Sequence, residues 1–381
     1  MYRTDHASIA GLAAVALAGW LTGGLGIAAD QAHDFDRQWP RTDFGQTTVD
    51  LGEIGHGGLP RDAIPAIDHP RFVSTDDAGE WLYPREPVIA LEVGGEARAY
   101  PIQVLIWHEI VNDMLGASPV AVTFCPLCNA AIVFERKVDG RLLDFGTTGK
   151  LRHSDLVMYD RQTESWWQQF TGTGIVGHYA GQTLRRIPAS IIAFEDFREA
   201  YPEGQVLSRD TGYPRDYGRN PYRGYDRVGD RPFLLRGTPD PRLPAMQRVL
   251  GISLDSTVVA YPLPGLMERT PINEEIDETP VVVFAKAGAL SALDTETIRS
   301  SRFVPTAAAY DRRVGAQELT FERRNDAVVD RETGSRWNVL GHALDGPLTG
   351  SRLTQVDDGV FFAFAWLAFQ PASEIRSKAG E

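Results

Sequence analysis

Residues 120–149 read VAVTFCPLCNAAIVFERKVDGRLLDFGTTG, and the fold class follows from this stretch. Val120-Ala121-Val122-Thr123-Phe124 is apolar and rich in β-branched residues, the composition of a buried strand. Cys125-Pro126-Leu127-Cys128 follows, and a second apolar run begins at Ala130. Asp139-Gly140 then separates that run from residues 141–145, and Asp-Gly between two such runs predicts a tight hairpin. The CxxC is therefore expected on a strand-to-strand turn. A thioredoxin-type CxxC would open a helix instead.

Working outward, residues 88–93 and 97–100 read as strands joined at Gly94-Gly95. Pro101 suits the first position of a helix whose apolar face is Ile102, Leu105, Ile106, Trp107 and Ile110. A further strand is expected at 156–159, and a helical segment at 192–201 ends before Pro202. Residues 208–248 are rich in Gly, Pro, Tyr and Arg and read as a linker, a polar connector with a few anchoring rings. The other reading of those tyrosines is that they dock the segment onto a groove.

The first half recurs in the second. Ala99-Tyr100-Pro101 returns as Ala260-Tyr261-Pro262, and Asn112 as Asn273. Asp160, Arg161, Thr163, Ser165 and Trp167 return as Asp330, Arg331, Thr333, Ser335 and Trp337, and Gly177-His178 pairs with Gly341-His342. The order holds throughout, so residues 249–371 read as a second copy of 88–207. What both copies keep is what the fold requires. The second copy puts Arg269, Thr270, Lys286 and Ala289 where the first has His108, Glu109, Cys125 and Cys128. It also puts Arg323 and Asn325 where the first has His153 and Asp155. A fold that stands without these side chains leaves them free for function.

The expected architecture is mainly β (α+β): two tandem, related, antiparallel β-barrel-like domains with short helices, the second degenerate, with a pair of sandwiches as the alternative. Residues 1–29 read as a signal peptide, with Arg3 ahead of an uncharged apolar run and small residues Gly26, Ala28 and Ala29 before a cleavage point; an uncleaved anchor is the alternative. Residues 30–87 read as an irregular arm and 372–381 as a tail. Export to the periplasm or the exterior is expected, with no stable membrane span after cleavage. The chain has 381 residues, 43% of them hydrophobic, enough for two packed domains. A net charge of −13 argues against nucleic acid or an anionic membrane as partner and leaves a small molecule or a protein.

Cys125, Cys128 and His108 form a Cys₂His set, and thiolates with imidazole suit Zn, while thiolates also suit Cu(I). Three protein ligands with an open fourth position are the pattern of catalytic zinc. Glu109, His153 and Asp155 are candidates for supporting or proton-transfer roles, and Met158 for an added thioether. The rival classes are a metal-free thiol–disulfide protein and a non-enzymatic binding module. No GxSxG, HExxH, P-loop or dinucleotide fingerprint occurs.

Four blocks carry a family resemblance: residues 58–68 (GLPRDAIPAID), 107–113 (WHEIVND), 125–128 (CPLC) and 154–161 (SDLVMYDR). Over about residues 57–207 the chain resembles the exported bacterial and archaeal proteins of the DUF3179 family. Asn129 stands where that pattern has glycine, and residues 150–153 are more basic than it. The resemblance implies an exported protein carrying this domain and implies no reaction.

Overall fold

The computed structural model describes residues 38–377. Strands Ser118–Cys125 and Ala130–Glu135 pair antiparallel with Cys125 opposite Ala130, so the CxxC lies on a strand-to-strand turn. Ile110–Leu115 flanks one side of this pair and Arg186–Ile187 the other. Asp139 and Gly140 both take positive φ, 49° and 77°, as a two-residue turn of this hand demands. They join Lys137–Val138 to Arg141–Leu142.

Two more sheets complete the first half. Pro87–Val93 and Glu96–Pro101 pair antiparallel, Ala189–Ala193 covers one edge, and Gln205–Leu207 runs parallel on the other with Phe72–Ser74 beyond it. The third sheet runs Ile54–His56, Phe145–Arg152, Asp155–Asp160, Trp166–Gln168, Thr173–Val176. Thr148-Gly149 forms a bulge in it. Gly149 has φ +70°, and a Cβ there would lie 2.0 Å from the carbonyl oxygen of Leu59, so only glycine fits.

The second half carries the same strand order. Arg248–Leu254 and Thr257–Pro262 are flanked by Gly359–Phe362 and, in parallel, by Glu374–Ile375. Ile272–Ile276, Thr279–Leu290, Phe303–Asp311 and Thr354–Gln355 form the next sheet. Phe321–Arg324, Ala327–Asp330, Arg336–Trp337 and Ala343–Asp345 form the last. Side-chain bonds recur with the strands. Trp167 Nε1 donates to Asp160 Oδ2 at 3.0 Å, and Trp337 Nε1 to Asp330 Oδ2 at 2.9 Å. Asn112 and Asn273 each exchange two hydrogen bonds with a backbone, at Phe145 and Phe321. These polar groups, buried apart from the half-buried Asn273, persist because each is satisfied.

Three expectations need correction. Among the described residues no sheet closes into a barrel; the edges are instead blunted by strands of two or three residues such as Phe72–Ser74 and Arg186–Ile187. Residues 30–87 are not wholly irregular, since Ile54–His56 and Phe72–Ser74 enter sheets and Thr75–Gly79 is helical. Runs of three residues are too short to show an alternation. His178 and His342 are not counterparts. The register sets Trp167 against Gly174 and Trp337 against Ala343, which aligns Gly177 with Gly346. A Cβ on either glycine would meet the Cα of Ser165 or Ser335, at 3.1 and 2.7 Å.

The halves share their cores. One cluster joins Phe124 and Trp167 to Phe361 and Trp366, and another joins Val88 and Phe197 to Phe284 and Trp337. Residues 208–247 form no helix or strand and bridge the halves, meeting Leu127 of the first and Thr295 and Arg248 of the second. No helix among the described residues is long and apolar enough to cross a membrane. The expected signal segment, residues 1–29, lies outside the described residues.

Candidate metal centre

The CxxC turn is tight: Cys128 N–H donates to Cys125 O and Asn129 N–H to Pro126 O, both at 3.3 Å. Asn129 has φ 51°, a left-handed conformation that asparagine tolerates, so it stands in for the glycine. The second half grips the turn from outside. Phe362 N–H donates to Cys128 O at 2.9 Å, and Asn129 Nδ2 donates to Val360 O at 3.1 Å.

Asp155 reaches the turn from the third sheet. His153 and Ser154 take positive φ, 53° and 64°, and reverse the chain between Arg152 and Asp155. The strand Asp155–Asp160 is longer than its counterpart Ala327–Asp330 by Asp155 and Leu156. Asn325 is therefore not the equivalent of Asp155. It is a turn residue of a shorter hairpin, with φ 46°.

This geometry brings Cys125, Cys128 and Asp155 together, with one ligand atom from each lying within 4.8 Å of the others. All three are buried, 1%, 0% and 0% exposed. The thiols are unbridged. Cys128 Sγ donates to Ser154 O at 3.4 Å. Asp155 Oδ2 accepts from Gln168 Nε2 at 2.6 Å and from Phe170 N–H at 2.9 Å. Asp155 Oδ1, equally buried, has no hydrogen-bond partner among the described residues.

Glu109 belongs to the same buried nest. Its backbone is left-handed, φ 59°, an unusual conformation for glutamate. It is pinned there by Glu109 N–H donating to Leu105 O at 2.7 Å and by Glu109 O accepting from Phe124 N–H at 2.8 Å. Burial and then the nearby Asp155 push the Glu109 carboxyl up to about 8. Burial pushes Asp155 up to about 6, and burial raises both thiols as well. Neither Glu109 nor Asp155 makes an ion pair among the described residues, and their strongest influences are burial, acidic neighbours and neutral donors.

His108 and His153 lie outside this group. His108 is fully buried, with Nδ1 donating to Pro65 O and Nε2 accepting from Tyr217 Oη, each at 2.7 Å. Burial lowers it to about 4, so the ring is neutral with both nitrogens engaged. The helix before it, Ile102–Leu105, is a single turn, so its apolar face does not extend to residue 108. His153 is about a third exposed, 3.8 Å from Glu53 and edge-on to Phe369. Met158 is buried opposite Trp167.

The sequence reading missed what covers the centre. Tyr225 Oη donates to Leu127 O at 3.0 Å and accepts from Phe233 N–H at 3.3 Å. Ser154 Oγ donates to Phe233 O at 2.5 Å. Tyr222 lies half-buried against Glu109. Asn220 Nδ2 anchors the segment to Thr295 O at 3.0 Å, and the buried Asp226 anchors it to Arg248 at 2.9 Å. The connector thus docks onto a groove, the reading set second above. The available signal was a series of rings, Tyr217, Tyr222 and Tyr225, in an otherwise polar run.

A family model described as "Protein of unknown function (DUF3179)" matches residues 61–373, which takes in both halves. No curated protein and no solved structure matches the chain.

Proposed function

The chain belongs to the DUF3179 family, and we propose that it is an exported protein in which Cys125, Cys128 and Asp155 hold one transition-metal ion. The observation that carries this reading is the bare carboxylate oxygen. Asp155 Oδ1 is buried with no nitrogen or oxygen donor on it, the two buried thiols are the carboxyl's remaining hydrogen-bonding neighbours, and no cation among the described residues pairs with it. Buried acidic groups are ordinarily paired or bound to metal, because stripping a charge of water without compensation is costly.

The donor set fits zinc better than copper. Two thiolates and a carboxylate match zinc's preference for sulfur and oxygen donors, whereas Cu(I) favours sulfur throughout. A tetrahedral zinc places sulfurs about 2.3 Å from itself and so roughly 3.8 Å from each other, compatible with atoms already within 4.8 Å. Such an ion supplies Lewis acidity at its fourth position. Glu109 stands beside the set as a carboxyl able to hold or release a proton, and Tyr222 shields it from water. On this reading the protein is a candidate metal-dependent enzyme for a small molecule.

The rival reading is a dithiol that cycles to a disulfide. It needs a thiol of lowered pKa, and burial here moves both thiols the other way. No helix N-terminus follows Cys128, because the chain enters the strand Ala130–Glu135. We further infer that the halves are copies of one ancestral unit and that the second has lost the site. The export reading rests on residues 1–29.

The test is elemental analysis of the mature protein, purified without tags or chelators, with accessible thiols counted. One zinc per chain with both thiols protected is the expected result. A metal-free protein whose disulfide cycles with mild reductant would establish the rival reading.

A further inference from the structure

Gln168 is fully buried, and Trp166-Trp167-Gln168 is the strand that runs beside Asp155. Its Nε2 donates to Asp155 Oδ2 at 2.6 Å. Phe170 N–H takes the same oxygen at 2.9 Å. With Oδ2 doubly occupied, Oδ1 is the oxygen left for the thiols' side of the nest. Arg152 sets which end of the Gln168 amide faces Asp155. Its Nη1 lies 3.5 Å from Gln168 Oε1, and its Nε donates to Glu53 Oε2 at 2.7 Å. An arginine only donates, so the amide oxygen turns to Arg152 and the NH₂ turns to Asp155.

The second half supplies a control within the same molecule. The register that aligns Trp167 with Trp337 puts Asn338 in the place of Gln168. Asn338 is one methylene shorter, and its Oδ1 accepts from Leu340 and His342 N–H, both at 3.0 Å. Where Asp155 has no counterpart, the long amide is gone as well, and its replacement serves only its own loop.

We infer that Gln168 is a positioning residue that holds Asp155 with Oδ1 turned toward the metal place, an inference that rests on the metal centre proposed above. Its role is to fix one carboxylate oxygen as donor while Phe170 N–H and Gln168 neutralise the other. Gln168 itself touches no metal.

The test loads the full-length mature protein with Co(II), which reports its ligands by colour, and measures affinity by chelator competition. Wild type, Gln168→Met, Gln168→Asn and Thr163→Ala are compared. Thr163→Ala is a folding control in the turn between the strands that carry Asp155 and Gln168, since Thr163 Oγ1 donates to Asp160 Oδ1 at 2.9 Å away from the nest. Loss of an outer hydrogen bond to a ligand costs about 10–100-fold in affinity, and both Gln168 variants are expected to show that loss. Their d–d bands should shift while the thiolate-to-cobalt charge-transfer band persists, because both cysteines remain. Thr163→Ala should match wild type in affinity and spectrum while unfolding earlier. If both Gln168 variants bind Co(II) with wild-type affinity and spectrum, the positioning role is refuted and the metal centre stands. If wild type takes up no Co(II), the metal centre falls and the positioning role falls with it.

Discussion

Replacing Asp226 by asparagine tests whether the connector is clamped over the centre or merely laid on it. Asp226 is 0% exposed. Its Oδ2 meets Arg248 Nη2 at 2.9 Å, Arg302 Nη2 at 2.7 Å and Ser291 Oγ at 2.5 Å. The two arginines differ in what they lose. Arg302 is 40% exposed and keeps Asp294 at 2.7 Å, so its share is under about 1 kcal/mol. The Arg248 side chain is only 10% exposed and would stay buried without an anion. Removing one partner of such a pair costs about 3–5 kcal/mol, and nearly all of it here is the stranded guanidinium. Urea unfolding followed by tryptophan fluorescence should therefore show Asp226→Asn destabilised by about that amount. Adding Arg248→Met should recover most of the loss, because no buried charge then remains. Limited proteolysis should cut wild type at the exposed Val228 and Phe233, and the variant also around Tyr222 and Tyr225. The acid limb carries a sign. Burial alone would raise Asp226, but Arg248, Ser291 and Arg302 outweigh it and hold the carboxyl below the usual range. Its stabilisation is thus full above the ordinary carboxylate pKa and lost as pH falls through the folded value, so the variant should show a shallower acid slope. A loss below about 1 kcal/mol, with wild-type cleavage, would refute the clamp.

Two further predictions test the second half. Burial pushes Asp357 up to about 7, against hydrogen bonds from Ala309 N–H and Gln355 and with a further push from Asp358, which Arg186 holds at 2.5 Å. A folded pKa above the unfolded one means wild type loses stability as pH rises from about 4 to about 7; Asp357→Asn should flatten that part of the profile, and parallel profiles would show that Asp357 does not titrate there. Trp167→Ala and Trp337→Ala should each destabilise by about 3–5 kcal/mol in thermal unfolding without metal, whereas Cys125→Ser should cost much less, since Lys286 fills the matching position; equal losses would make Cys125 structural.

The parts of the fold legible in the sequence were those with a local cause. The run 120–124, the CxxC and Asp139-Gly140 each dictate a backbone state within a few residues, and the strand–turn–strand follows. The matching Asp-Thr-Ser-Trp sets were legible because each satisfies a buried carboxylate through short-range bonds, as Thr163 and Thr333 do. Strands of two or three residues had no period to read, so Ile54–His56 and Phe72–Ser74 were hidden in the arm. Within the site, Cys125 and Cys128 declared themselves by spacing. Asp155 was visible as a nearby carboxylate, but its place beside the thiols depends on a hairpin longer than its counterpart, and sequence offset alone matched it to Asn325. His108 looked like a partner because the second half has Arg269 in its place and because it completes a Cys₂His set, but its ring is taken up by Pro65 and Tyr217 instead. Tyr222 and Tyr225 act across about a hundred residues of chain, where no local rule reaches.

The two halves put different chemistry at one position of the same strand. The strand Thr279–Leu290 carries Lys286 at the position of Cys125. Lys286 Nζ pairs with Asp196, which comes from the first half's helix Phe194–Ala200. The position of a buried thiol in one half is thus an ion pair across the seam in the other. The Lys286 side chain is 45% exposed and its Asp196 partner 7%, so the pair is only partly shielded. Its counterpart in the first half, Cys125, faces the buried nest instead of the seam. There the CxxC turn meets Val360 and Phe362 through the Asn129 side-chain amide and the Cys128 carbonyl, neither of them a thiol, so both cysteine side chains face inward toward Asp155. Because the second half grips the CxxC through its backbone and the first half grips Lys286 through a side chain, a change at Cys125 leaves the contact between halves intact. A change at Lys286 strands the buried Asp196 carboxylate.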